Sequence, residues 1–293
     1  MARNMMLIIN PFSGRGLSKS ALGTIVSKLC DSGRIVTVYF AGEQTPGELV
    51  FDYAKHHEMV VCAGGDGTLS AVVSGLLRSG VRIPVGYIPA GTANDIATTL
   101  ALSKDPNAAA QTIISGKPRL LDIGRFGDEY FTYIAAFGAF TGVAYLTPQS
   151  AKRTLGQFAY VLGGFADVVA IKPRHTIVEY DDGIIEGDYL FGAVVNSTSI
   201  AGLVRLGPKH VDLADGLFEV ILIKRPMGIA DFLDILTSIA TRSYDGDNLQ
   251  LVHSSSVTFK FDDHVPWTID GENGGLHKQV EVKNCNQAIS IIV

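Results

Sequence analysis

The residues best suited to chemistry are Gly64-Gly65-Asp66-Gly67-Thr68. The apolar run Val60-Val61-Cys62-Ala63 enters them as a strand. A helical pattern leaves them through Leu69, Val72, Val73, Leu76 and Leu77. Glycines let the backbone take positive φ and let a bulky anion come close. Free N–H groups at a helix start favour a phosphate. An aspartate among such groups repels a phosphate unless a divalent cation lies between them. The turn therefore points to phosphate chemistry through a metal, with an ordinary strand-to-helix turn as the alternative reading. A second glycine turn, Asn10-Pro11-Phe12-Ser13-Gly14-Arg15-Gly16, follows the apolar strand Met5-Met6-Leu7-Ile8-Ile9. It is not a Walker loop, because no Gly-Lys-Ser/Thr follows, and its glycine spacing is not the dinucleotide fingerprint. A third small-residue turn runs from Pro89 through Gly91, Thr92, Ala93, Asn94 and Asp95. Far downstream, Ile269-Asp270-Gly271-Glu272 sets a carboxylate on a turn, where it could meet a hydroxyl.

The elements that must position these turns alternate through the first 120 or so residues. Strands are expected at 5–9, 35–40, 60–63 and 84–88, and a strand at 120–124 carries Asp122. Helices are expected at 18–31, from 45 to about 57, from 68, and at 107–115. Thr45-Pro46-Gly47-Glu48 reads as a capping box with Pro at the first helical position. Thr45 therefore has a structural explanation even if it also faces a nucleotide. The pattern predicts a right-handed α/β unit with a parallel sheet and functional turns at the carboxyl ends of strands. Beyond residue 122 the pattern becomes β-rich and mostly antiparallel. A hairpin turns at Gly127-Asp128 and another at Asp182-Gly183. Helices are expected at 154–169 and 228–242, and strands at 217–223, 249–261, 267–270 and 279–293.

At 293 residues the chain suits two domains. Its net charge of −5, from 24 basic and 29 acidic residues, and the lack of a polybasic tail argue against nucleic acid as a partner. The three cysteines, Cys30, Cys62 and Cys285, lack metal-ligand spacing and suit a reducing cytosol. No stretch is long and apolar enough for a membrane span, and the N-terminus lacks the pattern of a signal peptide.

The pentapeptide at 64–68 resembles the signature of a kinase superfamily that includes diacylglycerol and sphingosine kinases, NAD kinases and, with Ser, phosphofructokinases. Four pieces in one order narrow this: Asn10 to Gly14, Gly64 to Thr68, Pro89 to Ala97 and Ile269 to Glu272. Together they resemble the diacylglycerol-kinase catalytic family in its small soluble bacterial lipid-kinase form. Gly91-Thr92-Ala93-Asn94-Asp95 matches that family's Gly-Thr-x-Asn-Asp motif. The resemblance implies an N-terminal α/β nucleotide-binding domain (residues 1–121) and a C-terminal β-rich domain (122–293), with the active site in the cleft between. It implies ATP and Mg²⁺ as cofactors. Asn10, Ser13, Gly14, Thr45, Gly64, Gly65, Asp66, Gly67, Thr68, Thr92 and Asn94 would line the ATP site. Glu272 would be the catalytic base, with Asp66 beside it in the catalytic set. Asp215 would be a structural Mg²⁺ ligand, helped by the carbonyls of Asp212 and Leu217. Asp95 and Asp122 would join Asp66 in the metal and water network near the phosphates.

Two departures stand out. Ile96 replaces the family's usual Phe, and Ser199-Ile200-Ala201-Gly202-Leu203 is poor in glycine. The chain ends 21 residues after Glu272, which leaves open whether a C-terminal segment returns to the first domain or is short or missing. The leading expectation is phosphorylation of diacylglycerol to phosphatidic acid by a cytoplasmic enzyme docking peripherally on a membrane, with a homodimer left open. A sphingoid base, phosphatidylglycerol or a soluble polyol are alternative acceptors, and a nucleotide-binding regulator without catalysis is the alternative class. An apolar lipid cleft would be lined from 154–169 and 228–242. Lys152-Arg153 and Lys172, Arg174 and His175 are the candidate basic clusters.

Overall fold

The structure, a computed structural model, describes residues 3–13, 17–92, 94–138, 171–200, 204–206 and 211–293. Gly14, Lys152, Arg153 and the expected helix at 154–169 lie outside the described residues, as do 201–203 of the glycine-poor stretch.

The first half builds as its apolar pattern demands. Strands β1 (Arg3–Ile9), β2 (Arg34–Phe40), β3 (Met59–Gly64) and β4 (Val85–Pro89) pair in parallel, in the order β4-β3-β1-β2. Every residue of β3 and β4 is buried, as expected for parallel strands covered on both faces. Helix α1 (Lys19–Asp31) starts at an N-cap Ser18 whose side chain accepts from the Ala21 N–H. Helix α2 (Pro46–Tyr53) has the full capping box of Thr45 and Glu48. It stops earlier than the expected residue 57 and tightens into a 3₁₀ turn at Ala54–His56. Helix α3 (Asp66–Ser79) buries Leu69, Val72, Val73 and Leu76 and ends at Gly80 in the left-handed region. It packs on α2 so closely that a side chain on Gly75 would strike the Gly47 carbonyl. Short α4 (Asp95–Thr99) and α5 (Pro106–Ser115) follow β4.

The second half is antiparallel. Strands β5 (Pro118–Phe126), β6 (Glu129–Phe131) and β7 (Ile134–Gly138) are followed by β8 (Arg174–Tyr180), β9 (Gly183–Val195) and the short β10 (Ser199–Ile200) and β11 (Val204–Arg205). Then come β12 (Phe218–Lys224), helix α6 (Ile229–Thr241), β13 (Leu249–Ser254), β14 (Ser256–Ile269) and β15 (Glu272–Ile292). The strand expected at 249–261 is broken at Ser255, where Asp181 accepts from the Ser255 N–H and the Ser254 hydroxyl donates to the Ser256 carbonyl. The strands expected at 267–270 and 279–293 are parts of a longer hairpin, β14 and β15.

Strand β15 runs between the two halves. Near its start it pairs with β14, and at its end Ile291 pairs in parallel with Val85 of β4. Residues 289–292 also pair with β5, and Val293 exchanges backbone hydrogen bonds with Lys117. The C-terminal return to the α/β sheet, which the sequence leaves open, is therefore present. One continuous sheet joins both halves among the described residues, in the order β13-β12-β9-β7-β14-β15-β4-β3-β1-β2. Its β-rich part is filled by Phe126, Phe137, Phe259, Phe261 and Trp267, whose rings meet at 4.9–6.5 Å. Among the described residues no helix is long and apolar enough to cross a membrane.

Candidate active site

The three turns meet at the carboxyl ends of β1, β3 and β4. Asn10 continues the ladder with its N–H on the Ala63 carbonyl, and its carboxamide donates to the Thr68 hydroxyl at 3.1 Å. Its Oδ1 accepts from the Phe12 N–H, and the Ser13 hydroxyl donates to its carbonyl. The second turn is thereby tied to the first. Gly65 and Gly91 bring the first and third turns into backbone contact: a Cβ on Gly91 would stand 2.5 Å from the Gly65 Cα. Gly64 is crowded by its own helix, since a Cβ there would lie 2.5 Å from Thr68 Oγ1.

Asp66 is held by the same junction. Its carboxylate accepts from the N–H groups of Asp95 at 3.1 Å and Ile96 at 3.2 Å, capping α4. Burial, and then the charge of Asp66, push the Asp95 carboxyl up from its ordinary value, against the opposing pull of Lys104. Two carboxylates this close call for a counter-charge. Asn94 is buried with φ +53° and secures the third turn. Its Oδ1 accepts from the Gly91 N–H and the Tyr87 hydroxyl, and its Nδ2 donates to the Gly91 carbonyl. Thr92 stands exposed just after Gly91. The first N–H groups of α3, at Asp66 and Gly67, have no carbonyl one turn back within the helix, and no side chain caps its start.

Glu272 reaches this junction from the other half of the chain. It is the first residue of β15, directly after the two-residue turn Asp270-Gly271, where both residues have positive φ (+49° and +86°). That is the tight hairpin for which Asp-Gly is suited. A Cβ added to exposed Gly67 would meet one Glu272 carboxylate oxygen at 3.7 Å. Glu272 therefore stands over the glycine turn. A cleft of about 880 Å³ opens beside it, lined by Thr45, Glu48, Gly67, Ser70, Asp270 and Glu272 among others.

Asp270 does more than turn the chain. Its buried carboxylate accepts five hydrogen bonds, from the Ser70 hydroxyl (2.6 Å), the Thr132 N–H (2.7 Å) and hydroxyl (2.8 Å), and the N–H groups of Tyr133 (3.0 Å) and Ile134 (3.1 Å). Burial pushes this carboxyl up, and the donors pull against it.

Asp122 belongs to a second cluster. Fully buried, it accepts from the Gly216 N–H at 2.7 Å, the Gln287 N–H at 2.6 Å, and the carboxamides of Asn284 and Asn286. It so fastens the loop of Asp212, Asp215 and Leu217 to β15. Asp215 is exposed and accepts from the Leu217 N–H, and Asp212 accepts from the Ala214 N–H. Below them Glu219 is 1% exposed, and its Oε2 has no partner among the described residues. Burial first, then the charges of Asp215, Asp212 and Asp122, push its carboxyl up to about 9, against a backbone hydrogen bond. A cation beside Asp215 would relieve that crowding, so this oxygen-rich set fits Mg²⁺. Among the described residues no three His, Cys, Asp or Glu side chains form a ready-made metal cage. Carbonyls, water and phosphate oxygens would complete the shell, which is how Mg²⁺ is commonly held.

The structure thus gathers Asn10, Gly64 to Thr68, Asp95 and Glu272 at one junction, and Asp122 with Asp212, Asp215 and Leu217 in another. Ser70, Asp270, Glu219, Asn284, Asn286 and Gln287 were not singled out from the sequence. A lone glutamate in the apolar run Phe218 to Ile223 and the alternating Asn284 and Asn286 were the available signals.

Comparison with known proteins agrees with this geometry. Residues 4–126 match the diacylglycerol kinase catalytic domain. Residues 138–293 match the YegS C-terminal NAD kinase beta sandwich-like domain. The diacylglycerol kinase of Bacillus subtilis (strain 168) is 31% identical over 92% of this chain and 90% of its own length. The chain belongs to the diacylglycerol kinase catalytic family. It is a lipid kinase of two-domain α/β architecture. The diacylglycerol kinase of Staphylococcus epidermidis is 32% identical over 94% of this chain and 87% of its own. A crystal structure titled as a diacylglycerol kinase from Bacillus anthracis str. Sterne has the same fold. Its TM-score is 0.76 at 19% identity, with 99% of this chain and 96% of that one covered.

Regions expected to meet lipid are partly described. Helix α6 buries Phe232 and Ile235 and turns Ile229, Leu233 and Leu236 outward. Of the described basic cluster, His175 is paired with Asp188 at 3.2 Å and Glu186 at 3.3 Å.

Proposed function

We propose that this lipid kinase moves the γ-phosphoryl group of ATP, with Mg²⁺, to the free hydroxyl of diacylglycerol, giving phosphatidic acid. The observation that carries this is the Glu272 carboxylate standing over Gly67, at the turn whose N–H groups suit a phosphate. Glu272 takes the proton of the acceptor hydroxyl, and that oxygen attacks the γ-phosphorus as its bond to the β–γ bridging oxygen breaks and ADP leaves. Such a base typically contributes ~10²–10⁴-fold. The N–H groups at the start of α3 suit the phosphates, and Asp66 and Asp95 are the carboxylates that would hold a cation there. Mg²⁺, when bound, neutralises charge on the transferring group. The names of the relatives support diacylglycerol as acceptor. Since that substrate resides in a membrane, docking is peripheral.

The test is ³²P transfer from ATP-Mg²⁺ to diacylglycerol, sphingosine, phosphatidylglycerol and glycerol, with lipids in mixed micelles, for wild type and Glu272→Gln. Labelled phosphatidic acid from wild type alone is expected. Preferential labelling of another acceptor overturns the substrate, and equal labelling by both proteins removes Glu272 as base.

A further inference from the structure

Two contacts join α3 to the turn that bears the base. Gly67 faces Glu272, and one helical turn later the Ser70 hydroxyl donates to Asp270 at 2.6 Å. Residues three apart lie on one helix face, so the helix and the hairpin meet in register: 67 with 272, and 70 with 270. Asp270 is in turn fixed to the β6–β7 connection by four further bonds, and its own N–H donates to the Ile134 carbonyl at 2.8 Å. Ser70 is the one of the five donors that comes from the α/β half. The bond spans 200 positions of sequence and lies in the wall of the cleft.

We infer that Ser70 and Asp270 form a latch between the two halves that sets the height of Glu272 above the phosphate turn, which makes them positioning residues for phosphoryl transfer. The inference rests on the reading of Glu272 as base. Physically, the Asp270 carboxylate is immobile in the β-rich half, so its bond to Ser70 fixes where α3, and with it Gly67, lies. Without the hydroxyl, the four remaining donors hold the turn while the helix is free to slide against it. Positioning errors near 1 Å cost on the order of 10²-fold in rate.

The measurement compares wild type, Ser70→Ala and Ser70→Thr for kcat and KM with ATP-Mg²⁺ and diacylglycerol in mixed micelles. ATP affinity by calorimetry and the urea midpoint are recorded beside them. Ser70→Ala is expected to fold, to lose about 10–100-fold in kcat, and to keep ATP affinity within about twofold; Ser70→Thr restores most of the rate. Ser70→Cys, which keeps the volume and weakens the donor, carries the test if Ser70→Ala does not fold. An unchanged kcat in the folded alanine variant overturns the latch. So does a loss confined to ATP affinity, which would make Ser70 a nucleotide contact, or a threonine variant as slow as alanine. Glu272→Gln in the same assay separates the two claims. If it is as active as wild type, the base reading has failed. If it is inactive while Ser70→Ala runs at the wild-type rate, only the latch has failed.

Discussion

The contact between Gly65 and Gly91 offers the sharpest test of how the site is assembled. A Cβ on Gly91 would fall 2.5 Å from the Gly65 Cα and 2.8 Å from Asn94 Oδ1. Carbon atoms rest at about 3.5–4.0 Å, so Gly91→Ala must part the two turns by roughly 1 Å. Neither neighbour gives way easily. One is backbone, and the other is the carboxamide of Asn94, itself bonded to both the N–H and the carbonyl of Gly91. Asp66 spans the same junction through its bonds to Asp95 and Ile96, so the shift reaches the phosphate turn. A 1 Å displacement of reacting groups costs ~10²-fold, about 2.7 kcal/mol of barrier. Steady-state rates with ATP-Mg²⁺ and diacylglycerol are therefore expected to show kcat/KM about 100-fold down. The control is Gly23→Ala on α1, where nothing lies within 4 Å of the added carbon. It keeps the wild-type rate and gains roughly 0.5–1 kcal/mol of stability from the helix alone. A folded Gly91→Ala enzyme within threefold of wild type would refute the reasoning, since transfer would then tolerate separation of the turns.

Other perturbations follow from the same geometry. Asp122→Ala leaves the Gly216 and Gln287 N–H groups, both in part-buried bonds, without their acceptor; at up to ~1–3 kcal/mol for each orphan, the loss is at most roughly 2–6 kcal/mol. Urea unfolding checks it, and a loss under about 1 kcal/mol contradicts the assigned role. Glu48 accepts from the N–H and hydroxyl of Thr45, and these bonds hold its carboxyl below the usual value. Its folded pKa lies below its unfolded one, so its contribution is present above the ordinary glutamate pKa and lost as pH falls through the folded value. Thermal midpoints of wild type and Glu48→Gln should differ at pH 7 and converge only in acid, once the pH has fallen through the lowered folded value; a gap that persists in stronger acid argues against the capping box as the cause. Burial, with the charge of Asp66, raises the Cys62 thiol, whereas Cys30 is exposed. A thiol reagent at pH 8 should label Cys30 in the native enzyme and Cys62 only on unfolding. Fast native labelling of Cys62 would contradict its placement beneath the turn.

How much of this was legible in the chain depends on how local each signal is. The turns at 10–14, 64–68 and 89–97 are punctuated by glycine between a strand and a helix, so their existence could be read directly. The capping box of Thr45 and Glu48 is equally local, and the structure has it as read. Strand β15 was harder. Its first eight residues, Glu272 to Gln279, have Leu276 as their one apolar side chain and contain Gly274-Gly275, so only the stretch from about 279 reads as strand. Pairing with β14 draws the earlier residues in, and pairing with β4 and β5 decides where the end goes. Neither partner is written in the strand itself. Asp122 shows the same limit. Its acidic side chain in an apolar strand was legible as unusual, but its partners Asn284, Asn286 and Gln287 lie more than 160 positions away.

Asp270 was hidden for a different reason. Asp-Gly is already accounted for by the hairpin, which needs two residues with positive φ and would accept Asn or Gly in the first place as well. A residue fully explained by its own turn prompts no further question. Only the five donors around its carboxylate separate Asp from Asn here. The Thr132 N–H would face an amide nitrogen in Asp270→Asn whenever the amide oxygen serves Tyr133 and Ile134. The variant keeps the turn and loses the acceptor. Its expected signature is a lower unfolding midpoint together with a slower enzyme, whereas a turn residue alone would leave both near wild type.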